Sequence, residues 1–252
     1  MAAADRLRAL ALPAVLLLAL EAWARGPGAG SDAVAPPSRA LQAWWGALLD
    51  GSLWQATAFT LGSAAAGLLV GGLGGVLLGT WLGLSQRAAA AGFLTVELLR
   101  PVPSVALIPL ALLIWGFGVT MELAVVAFAT LWPVLVLAQA AARQVPARLL
   151  EVCAALQLTP RQRLLWVVLP AMLPRLFVAL RLAAAIALVV AVTVEIAANP
   201  NGMGYAMMIA QQSLDPALML AWLLWIGVLG WGVNAAALWL QRAAQRRMGA
   251  LA

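Results

Sequence analysis

Among 252 residues the chain has no histidine, one cysteine (Cys153) and only 10% charged side chains, and lysine is absent throughout. Each shortage closes a class of chemistry. Without histidine or a second cysteine there is no metal cluster and no internal disulfide, and the Ser-His or Cys-His pairs of nucleophilic catalysis cannot be built. Without lysine there is no P-loop lysine to hold ATP phosphates, so any ATP-driven work must be done by another chain. No catalytic residue, metal or cofactor is expected, and the chain does not read as an enzyme. A soluble domain would carry about 25% charge. Here 65% of residues are hydrophobic, in runs long enough for helices rather than barrel strands. The fold class is therefore all-α, a polytopic membrane protein.

The charge that is present is unbalanced: 15 arginines stand against 9 acidic residues, a formal net charge of +6. A basic chain can signal nucleic-acid binding, but these arginines cluster between apolar runs, as membrane orientation requires, and no nucleic-acid partner is expected. The pattern predicts about six spans, at 9–23, 57–84, 90–116, 123–142, 176–198 and 217–240, forming a single transmembrane domain over 1–252. With the N-terminus inside, eleven arginines face the cytoplasm, against Arg25 and Arg39 outside and Arg100 and Arg181 within spans. That bias puts both termini and the charged segment 143–175 in the cytoplasm. The first apolar run, behind Arg6 and Arg8, has two readings. It is either a retained span or a signal peptide with Ala22-Trp23-Ala24 as its small-x-small cleavage site, and charge bias does not separate them.

Within the spans, Ser63, Gly67, Gly71, Gly75, Gly79 and Gly83 recur every fourth residue. Such a ridge of small side chains lets another helix approach closely. The third span is interrupted by Pro101, Pro103 and Pro109 and carries Glu97 and Arg100. Three residues apart, these two pair on one face if the helix persists, either as a surface pair at a helix end or as part of a gate. Trp44, Trp45 and Trp54 suit the headgroup level.

The segment 143–175 reads as two short helices and a turn. Pro146 suits the first helical turn. Thr159, Pro160 and Gln162 form the signature of a capping box with proline at the first helical position. Pro170 is expected to end the second helix, because its ring clashes with the carbonyl four residues earlier.

The spacing here resembles the EAA loop of ABC-importer permeases, which runs Glu-Ala-Ala, three residues, Gly, nine residues, Ile-x-Leu-Pro. Glu151-Val152-Cys153, Gln157 and Val167-Val168-Leu169-Pro170 stand at those places. The order of further motifs is similar to the nitrate/sulfonate/taurine group: Arg100-Pro101-Val102-Pro103, Trp115-Gly116-Phe117-Gly118, Arg181-Leu182 with Glu195, and Gly202-Met203-Gly204-Tyr205. The resemblance covers nearly the whole chain. It implies a homodimeric pore in a bacterial inner membrane, two cytoplasmic ATPase subunits, an extracytoplasmic substrate-binding protein, and retention of the first helix. It also implies a coupling helix pair that docks on the ATPase, for which Arg148, Glu151, Val152, Cys153, Gln157, Arg161, Leu169 and Pro170 are the candidates. Gln157 departs from the family's glycine. Since glutamine accepts a left-handed cap poorly, the turn is expected to shift toward Leu158-Thr159 and lengthen the first helix.

Glu97, Arg100 and Glu195 are the pathway or gate candidates. Arg181 lies fourteen residues from Glu195, about 21 Å along a helix, so the two cannot pair within one span. Glu195 then either influences the solute, meets a partner on another helix, or sits exposed near the external end. The function expected is the permease subunit of an ATP-driven importer for a small sulfonate-, nitrate- or taurine-like anion. The alternative is a proton-coupled secondary transporter, which needs titratable groups across the midplane and usually inverted repeats. Neither is evident.

Overall fold

The computed structural model describes residues 3–28 and 34–247, and no strand occurs among them. In chain order the helices are α1 (Ala3–Arg25), α2 (Pro37–Leu49), α3 (Ser52–Leu84), α4 (Gln86–Leu99), α5 (Ile108–Trp115), α6 (Val119–Arg143), α7 (Ala147–Ala155), α8 (Pro160–Arg163), α9 (Leu169–Ala197), α10 (Gly202–Gln212) and α11 (Pro216–Arg247). A 3-10 turn, Ser104–Leu107, leads into α5, and a π-helical turn, Leu164–Val168, fuses α8 to α9.

Among the described residues four helical stretches are long and apolar enough to cross a bilayer: Ser52–Leu84, Val119–Arg143, Pro160–Ala197 and Pro216–Arg246. A fifth candidate is the pair Gln86–Leu99 and Ser104–Trp115, bent by 84°. The expected third span, 90–116, is therefore not one straight helix. Pro101 and Pro103 each remove a backbone donor and clash with the preceding turn, and the chain turns a corner between Arg100 and Pro103. The expected first span, 9–23, lies within α1, which is not one of these candidates.

The centre of the fold is α3 against α6, with α9 packed on both. The ladder of small residues explains the pairing. A Cβ on Gly75 would lie 2.7 Å from the Leu131 carbonyl oxygen and 2.8 Å from Val134 Cβ. One on Gly67 would meet Val126 at 2.6 Å. Gly71, Gly79 and Gly83 face Ala127, Leu135 and Gln139 in the same way. The two backbones lie closer than any side chain on that ridge permits, which is what small-residue seams provide where the solvent is lipid. Around this seam Met121, Val125, Val126, Ala187, Ala191 and Val194 form one core. Nearer Arg143, Ala138, Ala141, Val168, Met172 and Leu176 form another.

The outer surface is apolar. Leu69, Leu73 and Leu77 on α3, Val189 on α9 and Trp231 on α11 are all exposed, a surface suited to lipid or to a partner and far too apolar for water. The tryptophans are partly spent inside. Trp44 and Trp54 pack on Trp225 with centroids 5.8 and 6.3 Å apart, and Trp222 is buried. Trp225 Nε1 donates to Thr57 Oγ1 at 2.8 Å, tying α11 to α3.

Candidate coupling helix and buried carboxylates

After α6 the chain leaves the bundle at Pro146, which is the residue preceding α7 rather than its first helical residue. α7 ends at Ala155, and Gln157 itself takes the left-handed conformation, φ +51°. The Leu158 N–H donates to the Cys153 carbonyl and the Gln157 N–H to the Ala154 carbonyl, both at 3.0 Å. These are the two bonds of a Schellman cap. The expected shift of the turn toward Leu158-Thr159 is thus corrected. The two cap bonds hold Gln157 left-handed despite its Cβ, and the first helix is not lengthened. The helix–turn–helix survives, and the capping box at its second half is present as the residue types require. Gln162 N–H donates to Thr159 Oγ1, and Thr159 N–H donates to Gln162 Oε1 at 2.9 Å.

Pro170 does not end the second helix. From Pro160 the chain stays helical to Ala197. The reason is the π-helical turn just before the proline, in which the Leu169 N–H reaches the Leu164 carbonyl. Widening the helix by one residue there relieves the ring clash and re-pairs the backbone that a proline would strand. The short helix α8 is consequently continuous with the α9 span.

The predicted coupling residues divide by burial. Arg148, Glu151, Val152, Gln157, Arg161 and Pro170 are exposed. Leu149, Val152 and Leu156 stand 41%, 53% and 66% exposed, and their i, i+3, i+7 spacing puts them on one face of α7. Cys153 is buried, and Leu169 packs with Leu150 against the core at the base of α6 and α9. Those inward residues seat the helix pair on the bundle, while Glu151 and the apolar stripe face outward.

Glu97 and Arg100 do meet, Nη1 to Oε1 at 3.8 Å, with both side chains about half exposed. Arg100 also lines a cavity of about 400 Å³ between the α4–α5 corner, α6 and α9. Arg181 lies far from any carboxylate bond and instead donates from Nε to Asn234 Oδ1 on α11 at 2.9 Å.

Glu195 is fully buried, so exposure near the external end is ruled out. Its Oε2 accepts from the Gly204 N–H at 2.9 Å, and Thr60 Oγ1 on α3 accepts from the Met203 N–H at 2.9 Å. These N–H groups belong to the first turn of α10, where Asn201 makes no capping bond. Two other helices therefore cap α10, and the carboxylate sits at the positive end of its dipole. Gly202 is required on two counts. Its φ is +90°, and a Cβ there would lie 2.6 Å from Glu195 Oε2.

A second buried carboxylate, Glu122, is not among the candidates the sequence offers. It lies in the first turn of α6, accepts from the Ser63 hydroxyl, and takes the Asn199 amide on its other oxygen. The available signal was Ser63 heading the glycine ladder, a hydroxyl on the ridge that α6 must face. Glu122 and Glu195 together pin α3, α6, α9 and α10 at one end of the bundle through polar bonds that lipid cannot replace.

Residues 73–250 match the family model described as binding-protein-dependent transport system inner membrane component. The chain is 30% identical over 225 residues to a protein of Bacillus subtilis (strain 168) named as an aliphatic sulfonates transport permease, spanning 89% of this chain and 81% of that one. To the taurine transport system permease protein of Escherichia coli (strain K12) it is 28% identical over 200 residues, 79% and 71% of the two chains. Among solved structures, the MetNI methionine ABC transporter in inward facing conformations superposes with a TM-score of 0.65 at 19% identity, covering 73% of this chain and 92% of that one. This fold is shared, and the family match spans well over half the sequence. The chain belongs to the family of inner membrane components of binding-protein-dependent transport systems.

Proposed function

We propose that this chain forms the translocation pathway of an ATP-driven importer as a homodimer, with its EAA helix pair α7–α8 docked on a cytoplasmic ATPase and a soluble binding protein delivering a small anion outside. The observation that carries this is α7. It is a short helix seated on the bundle by Leu150 and Cys153 with its other face exposed, locked by a Schellman cap and a capping box, and joined through α8 to a span that reaches the far end. An exposed Glu151 flanked by Leu149, Val152 and Leu156 has no work to do in an isolated permease, whereas a partner groove would bury that stripe. The rigid connection from α8 through the π-helical turn into α9 carries a displacement of α7 to the end where Glu195 holds α10. Names of relatives that refer to sulfonates and taurine support an anionic substrate. The arginine distribution supports cytoplasmic termini and helix pair.

In this reading Glu195 acts in the pathway by holding α10. The role is separable from simple capping. Glu195→Gln keeps an acceptor for the Gly204 N–H, so the variant is expected to elute as a folded permease with slowed uptake. Unchanged uptake kinetics would remove its charge from the pathway. Glu195→Ala leaves the Gly204 N–H buried without its acceptor, and thermal unfolding should show a loss of about 1–3 kcal/mol. The function as a whole is tested by asking whether uptake into proteoliposomes follows ATP or a proton gradient.

A further inference from the structure

The cavity at the α4–α5 corner combines features that the helix bundle itself does not use. Of about 400 Å³, it is lined by Arg100, Ser104, Phe128, Trp132, Leu182 and Ile186 among others. Its polar side chains are the guanidinium of Arg100, the hydroxyl of Ser104 and the indole of Trp132, and no carboxylate or amide side chain contributes to the wall. The site is thus rich in donors and carries one positive charge. Trp132 Nε1 is covered and has no acceptor among the described residues, an unusual condition for a buried indole N–H, which normally finds a partner. Phe128 stacks edge-on against the Trp132 ring, centroids 5.5 Å apart, and so steadies it. Among the described residues the only counter-charge that meets Arg100 is Glu97, at 3.8 Å and half exposed, a weak and replaceable partner.

Depth adds a constraint. Trp132 stands thirteen residues after Val119 and eleven before Arg143 in α6, about 20 Å and 17 Å from its ends. The cavity therefore lies near the middle of the span. An arginine at that level is strongly disfavoured against lipid tails and belongs beside a polar path. The apolar wall of Phe128, Leu182 and Ile186 suits the non-polar part of a small organic ion.

We propose that this cavity is a transient anion-binding subsite halfway along the pathway. It takes one sulfonate- or carboxylate-sized oxyanion on the Arg100 guanidinium, with Ser104 Oγ and the Trp132 indole N–H as further donors. Glu97 is the resident counter-ion that the solute displaces on arrival and that reclaims Arg100 on departure, which keeps binding weak enough for release. The inference rests on the permease reading and adds to it where in the chain the anion is met.

The test uses the assembled complex with its ATPase in nanodiscs, without binding protein, titrated calorimetrically with methanesulfonate and with uncharged dimethyl sulfone of similar size. Methanesulfonate is expected to bind and dimethyl sulfone to give no heat. Arg100→Gln should weaken methanesulfonate at least about tenfold and Trp132→Phe about threefold, as for the loss of a charge-assisted and a neutral donor respectively. Arg100→Lys should retain part of the affinity. Glu97→Gln should tighten binding about threefold by removing the competitor, a gain that misfolding cannot produce. Wild-type affinity in both Arg100→Gln and Trp132→Phe, equal binding of dimethyl sulfone, or no methanesulfonate binding by the wild type overturns the subsite. ATP-driven uptake at the normal rate in Arg100→Gln would also overturn it while leaving the permease reading intact. Absence of ATP-driven uptake in the wild type strikes the permease reading itself.

Discussion

Reversing the charge on α7, Glu151→Arg, is expected to abolish uptake and weaken association with the ATPase while leaving membrane insertion and fold unchanged. The side chain is exposed and makes no hydrogen bond or ion pair among the described residues, so nothing described in the bundle depends on it. In the docked state it lies beside Leu149, Val152 and Leu156, which a partner must desolvate. A like charge forced against a complementary surface costs about 2–5 kcal/mol, a factor of roughly thirty to several thousand in the association constant. Co-purification of tagged permease with the ATPase, measured beside uptake and detergent elution profile, separates the outcomes. Loss of association with an unchanged elution profile is predicted. Normal uptake in this variant would remove α7 from the coupling path.

The second large effect is on the bundle itself. Gly75→Leu places a branched side chain where even a Cβ would lie 2.7 Å from the Leu131 carbonyl oxygen. That obstacle is backbone, so no rotamer relieves it, and α3 and α6 must separate along their whole seam. Overpacking costs of about 1–3 kcal/mol are ordinary where side chains can adjust, and a rigid seam should exceed them. The monodisperse elution peak is expected to disappear. Gly62→Leu is the control on the same helix, because a Cβ there meets nothing within 4 Å. That variant should elute and unfold like the wild type. Equal behaviour of the two variants would mean that the ladder does not set the approach of α3 to α6.

These two variants also mark what could be read from the residues alone. The ladder was legible because a period of four along an apolar helix has a direct steric meaning, independent of the partner's identity. The Thr159–Gln162 capping box was legible for a similar reason, since both its bonds are made within four residues. Pro170 misled because a local rule says that proline stops a helix, and the rule omits the π-helical turn Leu164–Val168 that absorbs it just before. Gln157 misled in the same way. Its residue type disfavours φ > 0, but the two Schellman bonds fix the conformation from both sides.

The buried carboxylates were the hardest to see. Glu122 follows a Gly-rich turn and looks like a solvated helix start. Only the packing of α6 on α3 brings it to Ser63, and only the return of the chain after α9 supplies Asn199. Glu195 stands out as a candidate from its place in a span, yet its partner is the Gly204 N–H nine residues on, in the first turn of α10, a relation with no sequence period. The 84° corner was foreshadowed by three prolines, but their presence gives no angle.

The central claim is that this chain moves a solute by the work of a separate ATPase acting through α7. The most direct measurement is uptake of radiolabelled taurine and methanesulfonate into proteoliposomes holding the permease with its ATPase, with the binding protein added on the opposite face. Accumulation is predicted to require ATP on the ATPase side, to stop with a non-hydrolysable analogue, and to continue when a protonophore collapses the proton gradient. Accumulation by this chain alone, without an ATPase and following an imposed pH gradient, would contradict it.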